Sequence, residues 1–193
     1  MREADYFDAL QNLLDTRLRK VPDAERACYQ LREPDQSAFY FDPRNLSRHF
    51  AIQLENLPGQ TWPFFKMPHA HAHKRCDCIV VTWSRLHSQP VYVLLELKSA
   101  NSRGAALQLR ASLAFCHFVH HMLCVNVSTV PDALFAGITV KKPAFALKLP
   151  SLPVLPDWQP QALQKDCAYM IYNRSTGVLP LAAILKQLEN HRV

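Results

Sequence analysis

Between Arg75 and Asn101 the chain reads RCDCIVVTWSRLHSQPVYVLLELKSAN, two β-rich runs joined by a polar turn, each carrying an acidic residue where core strands rarely do. Val91 to Leu95 is apolar and β-rich, the pattern of a strand buried on both faces, and it breaks at Glu96-Leu97-Lys98. Side chains alternate along a strand, so Tyr92, Leu94, Glu96 and Lys98 share one face while Val93, Leu95 and Leu97 share the other. In the first run, Cys76-Asp77-Cys78-Ile79-Val80-Val81 puts Asp77 at the start of a strand, and Arg85 to Pro90 reads as the connecting turn. Antiparallel pairing about that turn brings Asp77 and Glu96 within a few ångströms of each other. Two carboxylates converging on one point suit a hard divalent cation.

An acidic residue on one core strand and (D/E)-x-K on the next resembles the PD-(D/E)xK nuclease superfamily, with its restriction-endonuclease-like fold. Asp77, Glu96 and Lys98 match the signature, and Cys76 stands where the family has its naming proline. The resemblance covers about residues 43–145. It implies an α/β domain in which a mixed sheet is flanked by helices and the catalytic carboxylates sit on adjacent central strands. It also implies Mg²⁺ (or Mn²⁺) held by Asp77, Glu96 and the backbone carbonyl of Leu97, with Lys98 orienting the attacking water or helping to deprotonate it. On the helix before the core strands, Glu55 is the candidate for a further ligand. On the helix after them, Gln108 is the candidate for positioning substrate or water. The chemistry fits independently, because a hard cation can polarise a phosphodiester and activate water, and an ammonium can stabilise developing negative charge.

The 193 residues, 49% of them apolar, suffice for one domain with a sizeable core. We read residues 1–193 as that single domain, a nuclease-like core preceded by an N-terminal helix and hairpin and followed by a Pro-rich C-terminal extension. No apolar run is long enough to span a membrane, and MREADYFDAL is charged and amphipathic rather than signal-like. Six cysteines without a C-x-x-C pair indicate neither a disulfide framework nor a zinc ribbon, so a reducing, intracellular setting is expected, cytoplasmic or, in a eukaryote, nuclear. A net charge of +6 favours a polyanionic partner.

Taken in order, Ala4 to Lys20 predicts an amphipathic helix closed by Val21-Pro22. Cys28 to Leu31 and Ala38 to Phe41 predict short strands that can form a hairpin. Asp42-Pro43 with Leu46, Phe50 and Leu54 predicts a helix reaching Glu55. Trp62 to Pro68 predicts an edge strand or extended lead-in. His69, His71 and His73 alternate, and continuing their parity through Arg75 to Asp77 places them on one face that can line a cleft; phosphate contact, proton donation and metal ligation are all open to them. Ser99 to Ser102 predicts a turn and cap for a long apolar helix over Arg103 to Leu123, which carries Gln108 and Ser112 on one face with Arg110 nearby. On that helix Cys116, His117, His120, His121 and Cys124 have metal-ligand spacing, but the apolar setting favours core or interface packing.

Leu123 to Val127 and Ala136 to Val140 predict further strands, the latter followed by Lys141-Lys142. Five prolines from Pro143 to Pro160 predict irregular chain. Cys167 to Tyr172 predicts a strand, Asn173 to Gly177 a turn, and Pro180 to Asn190 a terminal helix.

The function expected is that of a metal-dependent nuclease hydrolysing phosphodiester bonds, DNA ahead of RNA, in defence, restriction, recombination or repair. His73, Lys74, Arg75, Arg103 and Arg110 are the candidate substrate-positioning residues around the core triad. The alternative is a catalytically inactive nuclease-like module that binds nucleic acid or a partner protein. Nucleic acid is the expected partner, a membrane is not, and the sequence leaves open a homo-oligomer or larger complex.

Overall fold

The computed structural model describes residues 1–25, 27–31, 39–43, 46–54, 75–98, 104–141, 159–164, 167–173 and 178–190. The described elements are α1 (Glu3–Leu13), β1 (Tyr29–Leu31), β2 (Phe39–Phe41), β3 (His49–Ile52), β4 (Cys78–Ser84), β5 (Gln89–Lys98), α2 (Ala105–Asn126), β6 (Leu134–Lys141), β7 (Gln159–Gln164), β8 (Cys167–Asn173), β9 (Val178–Leu179) and α3 (Leu181–Asn190), with a 3₁₀ turn at Thr16–Leu18. The nine strands among the described residues form two mixed sheets, one of six strands in the order β3-β4-β5-β6-β8-β7 and one of three in the order β1-β2-β9. The chain is therefore a mixed α/β protein. No described helix is long and apolar enough to cross a membrane.

The doubly apolar β5 dictates the layering. Val91, Val93, Leu95 and Leu97 join a core with Cys78, Val80, the small sheet and α3. Tyr92 and Leu94 join a second core with Ile79, Val81, Trp83, α1 and α2. Each face of the large sheet is covered, as a central strand apolar on both sides requires. β5 pairs antiparallel with β4 and parallel with β6, and the parallel join needs a crossover, which α2 supplies. On the same side α1 is bolted to β5 by a buried hydrogen bond between the Tyr6 and Tyr92 hydroxyls at 2.6 Å.

Several expectations change. The expected helix from Pro43 to Glu55 is instead strand β3, paired antiparallel with β4. The spacing of four from Phe50 to Leu54 is an even number and so also fits one face of a strand: with Ile52 they enter the α2-side core and Ala51 the other, while Leu46, ahead of the strand, packs on the α3 side. The first helix stops at Leu13 rather than Lys20, and Asp15 Oδ1 accepts from Arg17 N to build the 3₁₀ turn. Beyond it the chain lies along the outer edge of β3, with Lys20 N donating to Ala51 O and Gln53 N to Leu18 O, both at 2.8 Å. Those bonds cover the exposed strand edge, a gain that continuing the helix would forgo.

Leu123 to Val127 is not a strand. Leu123 ends the buried series Leu109, Leu113, Cys116 and Val119 of α2, which runs on to Asn126. The same helix begins at Ala105, after Gly104 at φ 86°, a left-handed conformation that glycine adopts without steric cost. The turn and cap expected over 99–102 lie outside the described residues. In the Pro-rich extension Gln159–Gln164 is a strand, and Pro160 is tolerated there because β7 is the sheet's edge. The segment Trp62 to Pro68, the histidines His69, His71 and His73, and Lys142 lie outside the described residues. Strands β1, β2, β5, β6 and β8 and the last helix α3 are as expected to within a few residues, β1 and β2 pairing antiparallel.

Cys76, Cys78 and Cys116 are buried, and that burial pushes each thiol up from its ordinary 9.0, Cys78 to about 12. Below pH 9 these groups are neutral in both states and cost nothing. Above it the unfolded chain releases protons that the folded chain retains, so stability is lost as pH rises. Urea titrations should show the unfolding free energy falling from about pH 9 toward 12, by about 1.4 kcal/mol per pH unit for each buried thiol. Cys78→Val should make that fall shallower, and an unchanged slope in the variant would contradict the assignment.

Candidate functional site

The β4–β5 register pairs Cys78 with Leu95 and Ser84 with Gln89, so one step further it sets Asp77 opposite Glu96 and Cys76 opposite Leu97. The ladder does not take that step in the ordinary way. Leu97 N donates to Asp77 Oδ2 at 2.6 Å, a carboxylate oxygen taking the place of a backbone carbonyl. Cys76 N donates to Ser112 Oγ on α2 at 2.7 Å. The chain bends at Asp77. In a straight strand Cys76 and Cys78 would share a face, yet Cys78 lies in the α3-side core and Cys76 in the α2-side core. The expected alternation from the histidines through Arg75 to Asp77 therefore does not pass this bend unchanged. The Arg75 guanidinium binds the Leu54 carbonyl at 2.8 Å.

Glu96 occupies the α2 face of β5 as its parity requires and is only 1% exposed. A carboxylate this deep needs a charged partner. Lys98, two residues on and on the same face, brings Nζ to 2.5 Å from Glu96 Oε1, with its side chain 16% exposed. The ammonium also donates to Gln108 Oε1 at 2.8 Å, and Gln108 Nε2 donates to the Arg75 carbonyl at 3.1 Å. Both ends of the Gln108 amide are thus committed, one to each side of the site, which fixes its orientation. Asp77, Glu96, Leu97, Lys98 and Gln108 are brought together as expected.

Arg110 is not brought in. It is exposed, and two positions along an α-helix turn it about 200° away from Gln108. Glu55, His73, Lys74 and Arg103 lie outside the described residues.

Sequence reasoning did not assign Ser112 a role, although its place one turn from Gln108 on an otherwise apolar helix face was a usable signal. It missed Thr139 as well. Parallel register sets this buried threonine beside Glu96, and its Oγ1 accepts from Tyr169 OH at 3.0 Å. The hydroxyl row extends the polar end of the sheet across β6 to β8.

Among the described residues the candidate ligands here, the Asp77 and Glu96 carboxylates and the Leu97 carbonyl, are oxygens, which suits Mg²⁺ or Mn²⁺ rather than a thiophilic metal. Two carboxylates and one ammonium leave a single net negative charge, which a divalent cation would convert to a single positive one facing an anionic substrate. The donor set therefore fits such an ion. Among the described residues, no group of three His, Cys, Asp or Glu side chains is arranged to hold a metal ion.

On α2, Cys116 is fully buried, the His117 ring packs 4.2 Å from the Phe135 ring, and His120 meets the rings of Tyr92 and Phe135 edge-on. These contacts are ring packing and burial, and His120 Nε2 also lies 3.8 Å from Sγ of the exposed Cys124. A cavity of about 860 Å³ lies elsewhere, at the turn end of β4 and β5 against α3, lined by Trp83, Arg85, Val91, Leu185 and Lys186 among others. None of Asp77, Glu96 and Lys98 borders it. Its ionisable lining is Arg85, Lys186 and Glu189, a single carboxylate against the two at the strand ends.

Because Asp77 completes the hydrogen bonding of Leu97, it has a measurable structural role apart from any chemistry. Asp77→Ala should lower the unfolding free energy by about 1.5–3 kcal/mol, the scale of a hydrogen bond to a charged group, and Asp77→Asn by less. Chemical denaturation of the two variants checks this, and an Asp77→Ala protein as stable as wild type would contradict the bond.

No family model, curated protein or solved structure matches this chain.

Proposed function

We propose that this chain is a divalent-metal-dependent nuclease of the restriction-endonuclease-like fold, hydrolysing phosphodiester bonds in nucleic acid, DNA in preference to RNA. The observation that carries the reading is the 2.6 Å bond from Leu97 N to Asp77 Oδ2, which fixes the Asp77 carboxylate across from Glu96 while Lys98 stands on the same face. Asp77, Glu96 and the Leu97 carbonyl would hold Mg²⁺ or Mn²⁺. When bound, such an ion supplies Lewis acidity toward a phosphoryl oxygen and toward water.

The remaining work falls to the chain's own groups. Lys98, held by Gln108 on one side and Glu96 on the other, offers a positioned ammonium to the negative charge that develops as the phosphodiester is attacked. An ammonium has three donors, and among the described residues two of them are engaged. The net charge of +6 favours a polyanion in general, and contacts to phosphate carry no sequence information, so base preference is not part of the proposal.

The test is binding and cleavage of one labelled duplex, with Mg²⁺ or Mn²⁺ and with chelator. Wild type should cut only with the metal. Lys98→Ala should be less stable, because it leaves the buried Glu96 carboxylate without its cation, and its folded fraction should lose roughly 10²-fold or more in rate, the scale of a lost electrostatic or proton-transfer partner. Lys98→Arg, which keeps the charge, should keep the stability. Glu96→Gln should stop cutting while binding the duplex as well as or better than wild type, because it removes a charge that repels phosphate and is needed to hold the ion. Cutting by Glu96→Gln at the wild-type rate would overturn the reading, and so would salt-independent, negligible binding to every DNA and RNA tried.

A further inference from the structure

We infer that Ser112 is a positioning residue, whose hydroxyl captures the Cys76 amide and so releases the Leu97 carbonyl from the β4–β5 ladder for use as a metal ligand. The inference rests on the nuclease reading and adds to it the group that shapes the site. In an antiparallel ladder a hydrogen-bonded pair exchanges both of its N–H···O bonds, and the N–H and C=O of one residue point to the same side. Leu97 N points toward β4, as its bond to Asp77 Oδ2 shows. Its carbonyl points the same way, where the register would place the Cys76 amide as its donor.

That amide goes to Ser112 Oγ instead, at 2.7 Å. Both ladder bonds of the Cys76–Leu97 pair are thus replaced or diverted by side chains: a carboxylate takes the Leu97 N–H, and a hydroxyl takes the Cys76 N–H.

Two further observations support a dedicated role for the hydroxyl. Ser112 is 1% exposed on a helix face otherwise built of Ala105, Leu109, Leu113 and Cys116, where an alanine would pack without any polar obligation. Cys76 is also displaced from the face that β4 alternation assigns it and lies in the α2-side core, next to the helix that holds its amide. Gln108, one turn earlier, takes the adjacent Arg75 carbonyl. Two consecutive residues of the bend are therefore held to one strip of α2, and the strand can neither continue its ladder nor swing away.

Without the hydroxyl, the Cys76 amide would turn back to the Leu97 carbonyl, the nearest acceptor in register. The strand would zip one pair further and the ligand would be lost. The experiment is calorimetric titration of Mn²⁺ into the full chain carrying Ser112→Ala, Ser112→Thr or Ser112→Val. It is paired with NMR detection of a through-hydrogen-bond coupling from the Cys76 amide to the Leu97 carbonyl.

Ser112→Ala should bind Mn²⁺ at least about 10-fold more weakly, as loss of an outer partner of a ligand typically does, and should gain the coupling that wild type lacks. Threonine should restore affinity, and valine, which matches threonine in shape but has no hydroxyl, should not. The threonine–valine contrast decides the matter if the alanine variant folds poorly. Equal affinity in wild type, Ser112→Ala and Ser112→Val would overturn this inference alone. No Mn²⁺ binding by wild type would overturn the metal reading and this inference with it.

Discussion

The bond between the Asp77 carboxylate and the Leu97 amide marks the place where a continuous sheet becomes a site. Up to Cys78 and Leu95 the two strands exchange backbone hydrogen bonds in register. Beyond that pair the backbone groups are handed to side chains, and the chain bends. A strand end must satisfy its last donors somehow, because buried backbone N–H groups without partners are costly. Satisfying them with a carboxylate and a hydroxyl gives the sheet a terminus and at the same time fixes the direction of the carboxylate. Structural need and the proposed chemistry thus call on one and the same contact.

The pairing at the heart of the site was legible in the sequence because it depends on alternation and on a short turn. Glu96 and Lys98 had to share a face once Val91 to Leu97 formed a strand, and a hairpin had to bring Asp77 near Glu96. The exact register was not legible, because the turn expected over Arg85 to Pro90 is the shorter Arg85 to Ser88, with Gln89 and Pro90 already paired to Ser84 and Trp83. The bend was not legible. It arises from contacts between residues far apart in sequence, Ser112 with Cys76 and Gln108 with Arg75, and no local pattern encodes them. The strand β3 was misread for a related reason. A spacing of four fits both periods, and what decided for strand was an open edge on β4 and the segment from Leu18 to Lys20 available to cover the far side. Local pattern fixes faces well and fixes element type poorly when the spacing is even.

The end of α2 shows the same competition. Leu-Cys-Val-Asn-Val has strand composition, but Leu123 completes a buried series that the helix period had already set, and packing of that series against the sheet overrides the local preference. The outer face of this helix keeps Phe118 and Val125 exposed, so its apolar character exceeds what burial against the sheet uses. The mean apolarity of the segment was thus a good guide to its length and a poor guide to how much of its circumference is covered.

The energetic position of Glu96 explains why the polar cluster sits at the strand ends rather than mid-sheet. A carboxylate with 1% exposure is costly to desolvate, and a lone neutralising partner seldom repays that cost in full. At the end of β5 the side chain of Lys98 reaches it while staying 16% exposed, so one member of the pair keeps part of its hydration. Moved two residues earlier, to the position of Leu94, the same carboxylate would lie in the core that holds Ile79, Val81 and Leu109, with Lys98 four residues and about 13 Å further along the strand, out of reach of an ion pair. The strand end is the first place along this face where a buried acid can be neutralised by a cation still in contact with water. The same strand end sets Asp77 opposite Glu96, so two carboxylates and a partly hydrated ammonium meet there, which is the physical reason for reading chemistry here rather than in the cavity beside α3, whose lining holds one carboxylate.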